Sequence, residues 1–133
     1  MSYKHKIQYY ETDKMGITHH SNYVRFMEEA RVDFFEKIGW AYDRFEAEGI
    51  ASPVTSIELE YKAPTTYPDE IEIFISIEAF RGIKLRLKYE MKLGDKTCCI
   101  AHSEHCFLKN GSLVKLDKEY PEFSEVLKSM IAD

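Results

Sequence analysis

Between positions 71 and 93 the chain alternates apolar and polar residues with a period of two. Ile71, Ile73, Ile75 and Ile77 are interleaved with Glu72, Phe74, Ser76 and Glu78. After Arg81-Gly82, Ile83, Leu85, Leu87, Tyr89, Met91 and Leu93 are interleaved with Lys84, Arg86, Lys88, Glu90 and Lys92. Successive strand side chains point to opposite faces, so each run is a strand with one apolar face, and the glycine between them predicts an antiparallel hairpin. The same alternation starts earlier, with Ile57, Leu59 and Tyr61 against Ser56, Glu58, Glu60 and Lys62, and is broken by residues 63–69. Gly94-Asp95 then signals another hairpin, leading to a strand over about 96–108 before an Asn110-Gly111 turn. A sheet built this way has an apolar face that a second layer must cover.

One segment is suited to cover it. Tyr23, Phe26, Met27, Ala30, Phe34 and Ile38 recur at the spacing of one helical face, while Glu28, Glu29, Arg31, Asp33, Glu36 and Lys37 fall mainly elsewhere on the wheel. Ser21 or Asn22 caps the start and Gly39 supplies the stop. A helix over 22–38 is about 25 Å long, and strands of about eleven residues, roughly 36 Å, are long enough to curl around it. A short strand over 3–9 precedes this helix and a short helix over 41–48 follows it. Residues 118–130, with Phe123, Val126, Leu127 and Met130, predict a last helix. The order is strand, long helix, then four consecutive strands in hairpin connection. That is an α+β chain whose antiparallel five-stranded sheet wraps one long central helix, the hotdog fold.

The 133 residues suit a single domain, 1–133, and 44% hydrophobic with 31% charged residues is an ordinary globular balance. No apolar run has the length of a membrane span, and residues 1–8 lack the apolar region of a secretory signal, so no membrane insertion is expected. Three cysteines, two of them adjacent at 98 and 99, make no disulfide framework and point to a reducing cytoplasm. A net charge of −5 argues against nucleic acid as a partner. The basic residues at 81, 84, 86, 88 and 92 read mostly as one solvated strand face.

The chemistry concentrates in Tyr10-Glu11-Thr12-Asp13-Lys14-Met15-Gly16-Ile17-Thr18-His19-His20-Ser21-Asn22-Tyr23, where an aspartate and a glycine turn run into the long helix. The first turn of a helix presents unpaired N–H groups and the positive end of its dipole, a place to stabilise an anion. A nearby carboxylate could attack, or direct water at, a carbonyl carbon held there. A second cluster, Cys98 to Cys106 with His102 and His105, only superficially resembles a metal site. On a strand, His102 and His105 face opposite ways, and Cys98, His102 and Cys106 spread over about 13 Å, too far for one ion. No metal is expected.

The 10–16 segment, followed by His20-Ser21-Asn22-Tyr23-Val24-Arg25-Phe26-Met27-Glu28-Glu29-Ala30-Arg31, resembles the signature of 4-hydroxybenzoyl-CoA thioesterase-like proteins, which are hotdog-fold acyl-CoA thioesterases. The resemblance implies hydrolysis of an acyl-CoA to free acid and coenzyme A, with no cofactor and as a homodimer or homotetramer. It implies Asp13 as nucleophile or general base, and the His20 backbone N–H as the group polarising the thioester carbonyl. Gly16, Asn22 and Tyr23 would shape the turn and pocket. Glu11 stands where the family commonly has Asp, and Thr18-His19 replaces an apolar-Tyr pair. For the coenzyme A phosphates, Lys62 and Arg81 are the candidates. Two alternatives remain open: a noncatalytic acyl-CoA-binding domain, and a hydratase or dehydratase pairing His20 with Glu28 or Glu29.

Overall fold

The computed structural model describes residues 1–131. Strand β1 (Ser2–Lys6) leads through a single 3-10 turn (Tyr9–Glu11) and a loop into helix α1 (Asn22–Lys37). Helix α2 (Tyr42–Ala47) follows, then β2 (Ile50–Ala51), β3 (Val54–Tyr61), β4 (Glu70–Phe80), β5 (Leu85–Leu93) and β6 (Lys96–His105). The chain closes with β7 (Leu108–Lys109), β8 (Ser112–Leu113), α3 (Leu116–Glu119) and α4 (Pro121–Ser129). The five long strands form one antiparallel sheet in the order β1-β4-β5-β6-β3, and β2, β7 and β8 form a small second sheet. This is the expected hotdog architecture.

The alternation does what its period requires. In β4 Ile71, Ile73, Ile75 and Ile77 are buried, and in β5 Leu85, Leu87, Tyr89 and Met91 are buried, while the intervening charges face outward. On that outer face Arg86 binds Glu78 at 2.6 Å and Glu104 at 3.1 Å. The inner face receives Tyr23, Phe26, Met27, Ala30 and Phe34 from α1. The helix buries more than its apolar stripe, since Phe35 and Arg31 are also inside. Arg31, expected on the solvated side beside Glu28, is only 5% exposed, because its place on the wheel faces Tyr89 at the centre of the sheet.

Within the five-stranded sheet only β4, β5 and β6 are joined by hairpins. The expected four-strand meander is interrupted because β3 pairs with β6, whereas β4 lies beside β1 with β5 and β6 between it and β3. Residues 62–69 must therefore cross the end of the sheet. This leaves β3 as an edge, with Val54, Ile57 and Tyr61 exposed by 41%, 36% and 47% instead of packed inward. The predicted last helix is split into α3 and α4, because Pro121 has no N–H to continue a helix and pushes Tyr120 out of helical geometry. Asn110 and Gly111 both take positive φ, +50° and +85°, the geometry a two-residue hairpin demands. In β6 the register slips so that Met91 faces Cys99 and Lys92 faces Thr97. Cys98 is the extra residue of that bulge, and both cysteines end up buried.

A polar chain crosses the core. Arg31 Nη1 donates to the Tyr89 hydroxyl at 3.1 Å, the Tyr89 and Ser103 hydroxyls lie 2.6 Å apart, and Ser103 Oγ lies 2.8 Å from His105 Nε2. Burial, reinforced by the Arg31 charge, pushes the His105 imidazole down to about 4. An unfolded chain protonates this residue from about pH 6.5 downward, whereas the folded protein keeps it neutral until about pH 4. Across that window the unfolded state binds more protons, so stability falls as pH falls, by about 3 kcal/mol in total. Urea unfolding at pH 7 and pH 4.5 is expected to show a larger loss for the wild type than for His105→Gln. Equal losses would contradict the assignment.

Candidate active site

The loop between the 3-10 turn and α1 is held at both ends. At its start the buried Glu11 carboxylate, 4% exposed, accepts the Gln8 N–H at 2.7 Å and lies 2.9 Å from His5 Nε2. The Glu11 carbonyl accepts both the His19 N–H at 2.8 Å and the Asn22 side-chain amide at 2.9 Å. The 62–69 crossover grips the other side. The Thr65 carbonyl accepts the Thr18 N–H at 2.8 Å, the Thr65 hydroxyl lies 2.7 Å from that of Thr18 and 2.9 Å from that of Tyr23, and Thr66 Oγ donates to the Gly16 carbonyl at 2.6 Å.

Within this frame Asp13 sits half-buried at the head of a tight turn. Its N–H donates to the Ile17 carbonyl, its carbonyl accepts the Gly16 N–H, and its Oδ1 accepts the Met15 N–H at 2.8 Å. That last bond is an Asx turn, which orients the carboxylate and leaves Oδ2 uncommitted. Gly16 has φ of +79° and open space where a Cβ would lie, so the backbone angle rather than crowding calls for glycine.

Asp13, His20, Tyr23, Tyr61 and Lys62 line one cleft of about 410 Å³. Its back wall is α1 as it begins. The His20 carbonyl accepts the Tyr61 hydroxyl at 3.1 Å and the Tyr23 N–H at 3.2 Å, but the His20 N–H has no acceptor among the described residues. The Ser21 hydroxyl does not cap the helix either, being engaged with His19 Nδ1 at 2.8 Å. The His20 ring stacks on His19 with centroids 4.3 Å apart. Burial raises the Tyr23 hydroxyl above the usual phenol range, and burial with the Cys99 thiol raises Tyr61, so both remain proton donors at neutral pH.

Asp13, His20, Tyr23 and Lys62 thus share one cleft, with Lys62 paired to Glu60 at 2.9 Å. Gly16 and Asn22 shape the loop, and the Asn22 side chain is turned inward to Glu11. Arg81 lines a different cleft, of about 350 Å³, with Ile83, Leu85 and Arg86 at the β4–β5 turn. Glu28 lines clefts that His20 does not reach. Glu29 is engaged by the Tyr3 hydroxyl at 2.7 Å, so the pairing a hydratase needs is not assembled within one chain. Tyr61 and Thr65 were not foreseen as site residues, because Tyr61 reads as one more inward position of β3 and Thr65 lies in the break between strands. Among the described residues no three His, Cys, Asp or Glu side chains gather around a point that would hold a metal.

A sheet wrapped on one long helix, with an aspartate-bearing loop feeding that helix's N-terminus, places the chain in the hotdog class. Residues 7–131 match the family described as the Thioesterase-like superfamily, and the chain belongs to it. A crystal structure of a hypothetical protein from Aquifex aeolicus is 34% identical, with a TM-score of 0.90 over 96% of this chain and 98% of that one. The DHNA-CoA thioesterase of Staphylococcus aureus is 29% identical, with a TM-score of 0.91 over 96% and 88%. The acyl-CoA thioester hydrolase YbgC of Escherichia coli is 32% identical over 80 residues, 60% of each chain.

Asn22 provides a test of the loop frame. Replacing it by alanine removes one of two donors to a buried carbonyl, a loss of about 1 kcal/mol. Chemical denaturation of Asn22→Ala is expected to show that loss, with increased amide exchange at residues 12–19. Unchanged exchange there would mean that the loop is held without it.

Proposed function

We propose that this protein hydrolyses acyl-CoA thioesters to a free acid and coenzyme A, with Asp13 as the catalytic carboxylate. The observation that supports this most directly is the joint placement of Asp13 and the unpaired His20 N–H in one cleft at the start of α1. A thioester carbonyl oxygen at that N–H would develop its negative charge against the positive end of the helix. Asp13 Oδ2 would then either attack the carbonyl carbon, expelling the coenzyme A thiolate and leaving an acyl-aspartate anhydride that water cleaves to the free acid, or take a proton from a water that attacks the carbon and expels the thiolate directly. A thiolate is a good leaving group, so one carboxylate and one positioned donor suffice. The Tyr61 hydroxyl supports the site by holding the His20 carbonyl, which orients the peptide whose neighbouring N–H does the work.

Asp13→Asn separates chemistry from folding, since the amide oxygen still accepts the Met15 N–H. With a panel of acyl-CoAs and a thiol-reactive dye, coenzyme A release is expected to fall by several hundredfold in Asp13→Asn at unchanged melting temperature. Equal release by both proteins would favour a noncatalytic acyl-CoA-binding domain.

The same reading includes a homodimer in the cytoplasm. Edge strand β3 carries unpaired backbone groups beside exposed Val54, Ile57 and Tyr61, a surface suited to pairing with a second copy. Antiparallel pairing of two β3 strands would put the Val54 end of one beside the Tyr61 end of the other. That would carry the Arg81 cleft of one copy toward the Asp13 cleft of its partner, where a basic group suits coenzyme A phosphates. No helix among the described residues is long and apolar enough to cross a membrane. Light scattering at micromolar concentration is expected to give twice the 15.6 kDa chain mass or a multiple of it, and Ile57→Lys is expected to shift the protein toward monomer. A monomeric wild type would refute this arrangement.

A further inference from the structure

Arg31 is a buried cation with no carboxylate partner. Its guanidinium makes no ion pair among the described residues; Nη1 donates to the Tyr89 hydroxyl at 3.1 Å, and the Tyr42 hydroxyl is a second polar neighbour. Burial opposes its charge, but the Tyr89 and Tyr42 hydroxyls outweigh that and hold its pKa above the usual arginine value. His105, at the far end of the same chain of hydrogen bonds, is neutral and adds no second positive charge. A lone buried charge is ordinarily costly.

Two of the buried polar atoms left unsatisfied belong to residues that line one cleft. Arg31 Nε, Ser52 Oγ and His105 Nδ1 are all buried without a hydrogen-bond partner, and only Ser124 Oγ, elsewhere, shares that condition among the described side chains. His105 lies against the Ser52 main chain without a well-formed bond at Nδ1. Arg31 and Ser52 both line a cleft of about 410 Å³ enclosed by α1, α2 and the segment leading into β3. Its walls are otherwise Tyr42, Phe45, Ile50 and Val54, with Glu28 and Glu46 at the exposed rim. None of these residues lines the Asp13 cleft. Apolar walls around an uncompensated guanidinium and a free hydroxyl suit a compact organic acid, its hydrocarbon on the rings and its oxygens on Arg31. The two rim carboxylates disfavour small inorganic anions, which offer no apolar surface in return.

We propose that this second cleft is a carboxylate-binding subsite, in which a carboxylate on a short hydrocarbon accepts hydrogen bonds from Arg31 and Ser52. The carboxylate can come from two sources: the far end of an acyl thioester held in the partner copy's Asp13 cleft, which antiparallel β3 pairing brings beside the Val54 end of this chain, or a free short-chain acid. The first source rests on the thioesterase reading, whereas the second does not.

Two measurements distinguish them. Nitrogen-15 NMR of the Arg31 Nε–H during titration with adipate or hexanoate reads the cleft directly, without hydrolysis. A saturable shift is expected, lost in Arg31→Met and weakened in Ser52→Ala, which removes only a hydroxyl and is expected to keep the fold. Comparison of kcat/KM for adipyl-CoA and hexanoyl-CoA then reads the source. A preference of tenfold or more for the terminal carboxylate, lost in Arg31→Met, assigns the acyl end. Saturable Arg31 shifts without such a preference assign a free acid. Shifts seen in a protein that hydrolyses no acyl-CoA would leave this subsite standing while the thioesterase reading falls. Hydrolysis with no Arg31 shift at millimolar acid and no preference would overturn the subsite, as would Ser52→Ala titrating like the wild type.

Discussion

A carboxylate buried in a protein must find donors, and the way Glu11 finds them organises the molecule. Its side chain takes the Gln8 N–H and faces the His5 ring of β1, which in turn faces Glu29 on α1 at 3.2 Å. Its carbonyl takes donors from His19 and from Asn22, the first residue of α1. One residue thereby joins the edge strand, the 3-10 turn, the acidic loop and the start of the central helix. Glutamate serves here because its carboxylate spans back to the Gln8 N–H while still meeting His5.

The second constraint is the crossover from β3 to β4. Because β3 lies at one edge and β4 beside the other, residues 62–69 must pass over the mouth of the sheet, and there Thr65 and Thr66 bind the far side of the acidic loop. Asp13 is therefore held between two elements distant in sequence, with its Asx bond setting the orientation. Packing and chemistry share residues throughout: Tyr23 fills the core with its ring and reaches Thr65 with its hydroxyl.

Much of this was legible in the chain. The alternation at 71–93 reported both the strand faces and the hairpin, and the spacing from Tyr23 to Phe34 reported the helix that covers them, because burial on one face of a regular element imposes that element's period. The acidic motif marked the loop, and its resemblance to a known family named the chemistry to expect. Arg31 misled the sequence reading because charged residues are usually solvated. Strand β3 misled it because alternation shows which residues share a face, not whether anything covers that face. Tyr61 and Thr65 stayed hidden because neither belongs to a motif; they reach the loop only once the crossover is in place.

By itself, then, the sequence determined the elements, their inward and outward faces and the acidic loop ahead of the helix, all of which follow from local periodicity and turn chemistry. Tertiary structure alone decided the strand order, the exposed edge at β3, the shared cleft of Asp13, His20 and Tyr61, and the burial of Arg31 against Tyr89. Those depend on contacts between residues 40 or more apart along the chain for Tyr23–Thr65 and Tyr61–His20, and 58 apart for Arg31–Tyr89. No local pattern encodes such distances, because they are set by which surfaces bury the most apolar area together.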